Sequence, residues 1–229
     1  MHIPDGFIPM GQCAIYIILM LIAWGFTLKW LVERLIKLEK EKPSLGKIIS
    51  YLILIIFILP SFVFIIQSVN IPIPWGVGIS LLGSALVAIL LRSPWGAVLI
   101  MSPVLIVQGL FFGDGGLTTI GANIINIAVI GGFSGFYIYK FAKPLGKIPR
   151  ALIGGWFAGF TSLILVAEAV AVEMWLSGTF PLAEGIISGT MYSAMAGILE
   201  GIMTMIGCIL ILVINSKTRE VEKIENKNL

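Results

Sequence analysis

The chemistry that this sequence could perform is most visible at its first two residues, Met1 and His2, of which His2 is the only histidine in the chain. A bulky second residue generally blocks removal of the initiator methionine, so we expect Met1 to keep a free α-amine. This amine, the deprotonated amide of His2 and the His2 imidazole can form fused chelate rings. Three nitrogen atoms in a plane suit Ni(II), Cu(II) or Co(II) in tetragonal geometry. Many proteins begin with Met-His by chance, so the pattern also fits a terminus that binds nothing.

Polar side chains inside apolar segments form a second set of candidates. Intramembrane carboxylates are costly and usually face the bundle interior or a water-filled cavity. We therefore interpret Glu168, Glu173 and Glu200 either as paired structural groups or as participants in transport. Neutral polar residues more often form hydrogen bonds between helices. An outward-facing binding cavity is favoured because several polar residues fall in the predicted outer half of the bilayer, namely Ser80, Gln108, Asn123, Asn126, Glu168 and Ser193.

The sequence lacks the motifs of several enzyme and metal-site classes. It contains no HExxH helix motif, no Walker-type GxxxxGK[ST] loop and no CxxC pair. Its two cysteines, Cys13 and Cys208, lie in apolar runs and are interpreted as small buried hydrophobic residues. We therefore predict no catalytic residues, no intrinsic cofactor and no nucleic-acid partner. An intramembrane enzyme that uses the carboxylates for acid–base chemistry is the alternative from another functional class.

The elements that must position these groups follow from the composition. Of the 229 residues, 58% are hydrophobic and 12% are charged, whereas soluble domains are usually about 45–50% apolar and roughly 25% charged. This excludes a soluble globular protein and predicts an all-α integral membrane protein, because helices satisfy their own backbone in lipid. Ser93 and Pro94 favour a helix start, as N-cap and first helical residue. Seven transmembrane helices are predicted, over residues 9–28, 48–67, 77–91, 95–112, 120–139, 151–176 and 185–214.

The basic residues predict the orientation of the chain. All 15 Lys and Arg residues lie between the first and second, third and fourth, or fifth and sixth spans, or after the seventh. With seven spans they share one side, which the positive-inside rule makes cytoplasmic. We therefore expect a multi-pass protein of the cell membrane with its N-terminus outside and its C-terminus in the cytoplasm. Residues 1–214 would form one membrane domain, with 29–47 as a helical cytoplasmic loop and 215–229 as a charged cytoplasmic tail.

Several motifs resemble those of one family of transport proteins. They lie at residues 1–7 (MHIPDGF), 72–74 with 82–83, 108–117 (QGLFFGDGGL) with 121–123 and Asn126, 177–179, and 197–200. Through these motifs the chain is similar, over nearly its whole length, to the substrate-binding (S) components of energy-coupling-factor transporters for cobalt and nickel, the CbiM/NikM family.

The resemblance implies a seven-span S component whose residues 1–8 plug into the bundle from outside. Nickel or cobalt, as the transported ligand, would be held by the Met1 amine, by the amide and imidazole of His2, and by a further histidine early in the third span. A membrane T component and cytoplasmic ATPase subunits would energise uptake, and any small companion membrane protein would be a separate polypeptide. Shaping of the site is expected from Asp5, Ser80, Gln108, Asp114, Asn123 and Asn126.

Two positions depart from the family pattern. The family's third-span histidine aligns on Ser80, and Ser193 stands where many cobalt-type members have a histidine in the last span. Because a neutral hydroxyl is a poor ligand for these metals, the fourth ligand would be water, another group, or nothing. The alternatives are a lower affinity, a different metal, the same fold importing another small substrate, or a purely structural membrane subunit.

Overall fold

The computed structural model describes residues 2–68, 70–72 and 78–225, and Met1 lies outside the described residues. The described chain is almost entirely helical. Its helical elements are α1 (Met10–Glu41), α2 (Leu45–Gln67), α3 (Ser84–Leu90), α4 (Pro94–Phe112), α5 (Ile120–Leu145), α6 (Lys147–Leu176) and α7 (Leu182–Glu225). Single π-helical segments interrupt α2 at Leu54–Ile58, α4 at Gln108–Phe112, α5 at Ile125–Gly131 and α6 at Arg150–Gly154.

All of these helices except α3 are long and apolar enough to cross a membrane, so the described chain has six candidate spanning helices. In α7 the candidate span ends at Ile214. The most apolar windows of α1 and α2 are only 11% buried inside the protein. Long apolar helices with so much exposed surface are typical of contact with lipid. The protein is therefore a multi-pass membrane protein.

The segment predicted as the third span, residues 77–91, is not a continuous helix. Gly78–Ser80 forms a short strand that pairs antiparallel with Asn70–Pro72. The helix that follows, α3, has seven residues. At about 1.5 Å per residue α3 covers about 10 Å, far less than the hydrocarbon core of about 30 Å. The prediction of a spanning helix here is therefore wrong, and residues 73–77 lie outside the described residues.

Gly83 is one physical reason why the third segment becomes helical only at its end. This residue precedes α3 with φ +73° and ψ −6°, a left-handed conformation that an L side chain rarely adopts and that interrupts a right-handed helix. A Cβ atom at Gly83 would also lie 2.7 Å from Cδ1 of Ile66 at the end of α2. The backbone turn therefore depends on glycine here, whereas the flexible end of Ile66 could move aside.

Two other predicted features of the helices are confirmed. Helix α4 begins at Pro94 with Ser93 as its extended N-cap residue. Helix α1 continues without a break into the predicted helical loop and ends at Glu41, where Lys42 adopts φ +43°. At the other end of the chain, α7 continues as a helix to Glu225, beyond the predicted start of the tail at residue 215.

Small residues bring the inner helices into backbone contact. A Cβ atom added to Gly159 in α6 would lie 2.5 Å from the carbonyl oxygen of Glu200 in α7. One added to Gly135 in α5 would lie 2.3 Å from Cβ of Ala85 in α3. These spacings leave no room for a methyl group, so α3, α5, α6 and α7 form the tightly packed part of the bundle.

Candidate metal centre

Residues 2–8, which we call the plug, lie inside one end of the helical bundle. The exposed fraction is 4% for His2, 0% for Ile3 and 3% for Ile8. Ile3 and Ile8 belong to an apolar cluster that includes Ala122 of α5 and Met174 of α6. Burial of these side chains stabilises the plug in the bundle, because it removes their apolar surface from water.

The backbone of Ile3 is held by hydrogen bonds from one loop and the helix after it. Its N–H donates to Oδ1 of Asn123 at 2.7 Å, and its carbonyl oxygen accepts from Nδ2 of the same side chain at 3.1 Å. The same oxygen accepts from the Thr119 hydroxyl at 2.5 Å and from the Gly116 N–H at 3.0 Å. Because Ile3 follows His2 directly, these bonds fix the position of the histidine backbone.

Asp5 ties the exposed part of the plug to the same loop. Its Oδ2 atom accepts from the N–H of Leu117 at 3.1 Å, and Oδ1 accepts from the N–H of Thr118 at 2.8 Å and from its hydroxyl at 2.5 Å. The Thr118 hydroxyl is the largest cause of a lowered Asp5 pKa. Asp5 is therefore ionised at neutral pH and acts as an acceptor that fastens the plug.

Two glycines allow the 113–118 loop to close over the plug. Gly115 has φ +87°, and a Cβ atom there would lie 3.3 Å from Cβ of His2 and 3.0 Å from Nδ2 of Asn123. At Gly116 an added Cβ would lie 2.2 Å from Oδ1 of Asp5 and 2.5 Å from the Asp5 backbone nitrogen. The Gly-Gly pair of the 108–117 motif thus leaves the space that the plug fills.

The His2 imidazole is neutral in this environment. Burial is the main reason why its pKa falls from 6.5 to about 3, with a smaller contribution from the positive N-terminus. Its Nδ1 atom lies 3.2 Å from Oδ1 of Asp114, whose own pKa is raised by burial. Because the ring is neutral at physiological pH, this contact is not an ion pair. The neutral ring is the form that binds metal ions.

Buried polar atoms without an aligned hydrogen bond in the described structure accumulate at the predicted site residues. They include both ring nitrogens of His2, both amide atoms of Gln108 and the hydroxyl of Ser80. Gln108 is 2% exposed and lies against His2, and Ser80 is 1% exposed at the end of its strand. Leaving a buried polar group unpaired costs about 1–3 kcal/mol. A bound ligand would compensate such a cost.

Asn126 takes part in a different contact from the other predicted site residues. Its Nδ2 atom donates to Oε2 of Glu173 at 2.6 Å, which links α5 to α6. The Glu173 carbonyl oxygen in turn accepts from the side chain of Gln12 in α1 at 3.0 Å. Asn126 therefore joins helices around the plug, and in the described structure its side chain forms no hydrogen bond with His2 or Ile3.

The other two intramembrane carboxylates also have partners. Thr190 in α7 donates its hydroxyl hydrogen to Oε1 of Glu168 in α6. The carboxylate of Glu200 in α7 accepts two backbone N–H groups, from Leu82 and Gly83. All three carboxylates thus form hydrogen bonds with other parts of the protein.

A conventional cluster of metal-binding side chains is not found in the described part of the chain, where no group of three His, Cys, Asp or Glu residues could hold a metal ion. Cys13 and Cys208 are both buried free thiols. A metal ion at His2 would therefore have to draw on backbone or terminal nitrogen atoms, or on neutral side chains.

Comparison with known proteins decides the family. The model of a family described as the cobalt uptake substrate-specific transmembrane region matches residues 2–218. The chain belongs to this family. It is therefore a membrane component of the CbiM/NikM type for cobalt or nickel transport, and it is not an enzyme.

Individual relatives agree with this family assignment. A protein of Methanocaldococcus jannaschii named for metal transport is 37% identical over 169 residues, which are 73% of this chain and 69% of the relative. A fused protein of Archaeoglobus fulgidus named for nickel transport is 31% identical over 208 residues, which are 89% of this chain. The match covers 63% of the fused protein, so this CbiM-family chain spans less than two thirds of that relative.

A solved structure shares the fold. The crystal structure of a protein described as a truncated transition metal transporter superposes on this chain with a TM-score of 0.77 and 27% sequence identity. The superposition covers 94% of this chain and 99% of the other. The short α3 and the six longer helices therefore belong to an arrangement that a transition metal transporter also uses.

Sequence reasoning did not assign the threonines that hold the plug to the site, although Thr179 lies in one of the family-like motifs. Thr118 and Thr119 bind Asp5 and Ile3, and Thr179 donates its hydroxyl hydrogen to the carbonyl oxygen of Phe7 at 2.6 Å. One signal was available, because Thr118 and Thr119 directly precede α5. Threonine hydroxyls before a helix often bond to nearby backbone groups, although their partner here is a distant segment.

Proposed function

We propose that this CbiM-family protein is the substrate-binding membrane subunit of an energy-coupling-factor (ABC-type) importer, with nickel or cobalt as its substrate. The observation that carries the proposal is the plug, which places a neutral, buried imidazole beside the buried Gln108 amide, with no aligned hydrogen bond at either ring nitrogen in the described structure. A membrane T component and cytoplasmic ATPase subunits would supply the energy, since the chain contains no Walker-type loop.

The metal would be held mainly by nitrogen atoms of the first two residues. The Met1 amine, the deprotonated His2 amide and the His2 imidazole would occupy three positions of a plane, an arrangement that suits Ni(II) or Co(II). The burial of His2 and the bonds to the Ile3 backbone support this proposal, because they hold the chelating segment still. Asp5, Asp114 and Asn123 would hold the plug, and Asp114 lies 3.2 Å from His2 Nδ1.

We further propose seven crossings of the membrane, of which the third is built from α3 and the strands before it. Helix α4 is antiparallel to α1, because Trp24 Nε1 donates to Ser102 Oγ at 3.1 Å while Phe26 stacks on Trp95. Helix α4 thus ends beside the plug, where Gln108 lies against His2. Helix α2 also ends there, since Phe64 meets Phe112 with ring centroids 5.0 Å apart.

Because α2 ends and α4 begins at opposite ends of the bundle, the chain between them must return across it. An odd number of crossings then places the plug on one side and the C-terminus on the other. With seven crossings, all 15 basic residues would lie on the side opposite the plug, and the positive-inside rule would then place the N-terminus outside and the C-terminus in the cytoplasm.

Insertion of one glycine between Met1 and His2 tests the metal site. The insertion enlarges the chelate ring and moves the amine away, so we expect high-affinity Ni(II) and Co(II) binding to be lost in calorimetric titrations of the purified full chain. The matched control is a glycine inserted after Gly146, which is exposed and distant in sequence from the plug. Unchanged metal binding in the Met1 insertion variant would contradict the proposed function.

A second candidate function is the import of a different small substrate by the same fold. Ser80 favours it, because a hydroxyl replaces the imidazole that the resemblance leads us to expect at this position. Elemental analysis of the protein purified with its native N-terminus distinguishes the two. Stoichiometric nickel or cobalt supports the metal importer, whereas a metal-free protein that retains an organic ligand supports the alternative.

A further inference from the structure

A buried carboxylate on α7 holds the irregular segment that follows Ser80. Glu200 is 0% exposed. Its Oε2 atom accepts the backbone N–H of Leu82 at 2.8 Å, and its Oε1 atom accepts that of Gly83 at 2.8 Å. Glu200 and these two residues are 118 and 117 positions apart in the sequence. We call residues 80–83 with Glu200 the clamp.

The clamp supplies hydrogen bonds that secondary structure does not provide. Residues 81–83 lie between the strand and α3 without regular structure, and backbone of this kind is tolerated at membrane depth only where the protein satisfies its polar groups. Glu200 takes the N–H of Leu82, and the side-chain amide of Gln67 donates to the Leu82 carbonyl oxygen at 2.9 Å. Leu82 is therefore fixed from both sides, through α7 and through α2.

The residue that this arrangement positions is Ser80, two places before Leu82. Its hydroxyl is buried and has no hydrogen-bond partner in the described structure. We propose that Glu200 is a positioning residue, whose carboxylate fixes residues 80–83 so that the side chain at position 80 faces the bound metal. The inference rests on the proposed function. It assigns to Glu200 an indirect role in metal affinity, through the position of residue 80 and without contact between Glu200 and the metal.

Glu168 provides a matched control for Glu200. It is likewise a carboxylate within the membrane span at the α6–α7 contact, but its partner is the hydroxyl of Thr190. None of its hydrogen bonds in the described structure reaches residues 80–83. A change at Glu168 therefore perturbs the same pair of helices without releasing the clamp.

The test is a double-mutant cycle on Ni(II) affinity, measured by calorimetry on the purified full chain. Ser80→His adds an imidazole at position 80, and we expect it to tighten binding on the order of tenfold, the lower end of the effect of groups that orient metal ligands. The same gain is expected in a Glu168→Gln background. In a Glu200→Gln background, where one accepting oxygen becomes a donor, the gain should fall below about threefold.

The Ni(II) absorption spectrum adds a readout that a general loss of stability would not change. A fourth nitrogen ligand in Ser80→His should shift the d–d band, and Glu200→Gln should abolish this shift while Glu168→Gln keeps it. Equal gains in affinity and equal spectral shifts in all three backgrounds would overturn the positioning role. The insertion at Met1 reports on the proposed function alone, so the two failures are distinguishable.

A second variant, at Gln67, tests the same proposal if the Glu200→Gln protein does not fold. Gln67→Met removes the amide that donates to the Leu82 carbonyl oxygen but keeps a side chain of similar length. We expect the Ser80→His gain to shrink in this background as well. A full gain in folded Gln67→Met protein would contradict the proposal.

Discussion

The plug and the clamp each contain irregular backbone, but different kinds of hydrogen-bond partner hold it in place. The plug is fastened by many separate groups from one loop and the start of α5, and its carboxylate, Asp5, is exposed to solvent. The clamp depends on one carboxylate, Glu200, and on Gln67, both fully buried. Near water a lost hydrogen bond is replaced by solvent, whereas a lost partner in the interior leaves a group unpaired. The plug should therefore tolerate single changes that the clamp does not.

The largest expected effect comes from Glu200→Ala. The substitution leaves the N–H groups of Leu82 and Gly83 buried without acceptors, and each costs about 1–3 kcal/mol. We expect a marked fall in the melting temperature of the detergent-purified protein. Asp5→Ala removes an exposed carboxylate from the plug. An equal fall in the melting temperature of this variant would contradict the claim that the plug tolerates single changes better than the clamp does.

An intermediate effect is expected from Gly116→Ala, which attacks the plug by occupying its space. The added Cβ would lie 2.2 Å from Oδ1 and 2.5 Å from the backbone nitrogen of Asp5, so the plug must shift. We expect Ni(II) affinity to fall on the order of tenfold or more, because the groups that orient a metal ligand typically contribute that much. Calorimetric titration measures the change.

Gly11→Ala is the control for this variant. Gly11 lies in the first turn of α1, close to the plug in sequence, and a Cβ atom there would meet nothing within 4 Å. Alanine favours a helix over glycine by up to about 1 kcal/mol. We expect unchanged metal affinity and equal or slightly higher stability, and an equal loss of affinity in both variants would exclude a specific displacement of the plug.

The smallest effect concerns the pH dependence that Asp5 contributes. Its pKa is lowered from 3.8 in the folded protein, so its contribution is present above about pH 4 and is lost as the pH falls through the folded pKa. We expect Asp5→Asn to lower the melting temperature slightly at pH 7, where the carboxylate contributes, and to change it little below the folded pKa, where Asp5 is protonated. A fall in the melting temperature at pH 7 as large as that of Glu200→Ala would reverse the order of effects proposed here.

The plug illustrates how far the sequence could predict the candidate site. The MHIPDGF and QGLFFGDGGL motifs led to His2, Asp5, Gln108 and Asp114, and the structure brings all four to the same end of the bundle. Asn126 was grouped with them but pairs with Glu173 instead. Asn123 and Asn126 are three residues, or about 4.5 Å, apart along α5, so Asn123 reaches Ile3 of the plug whereas Asn126 reaches Glu173 of α6.

The composition of the sequence was enough to predict a helical membrane protein, because lipid requires apolar side chains and a backbone that bonds to itself. The interruption of the predicted third span over residues 78–91, in contrast, depends on contacts with distant parts of the fold. In isolation this apolar segment satisfies its backbone best as a helix. Once Glu200 and Gln67 supply partners for Leu82 and Gly83, the chain can remain irregular inside the bundle. Those partners come from other helices, so no local pattern could have revealed them.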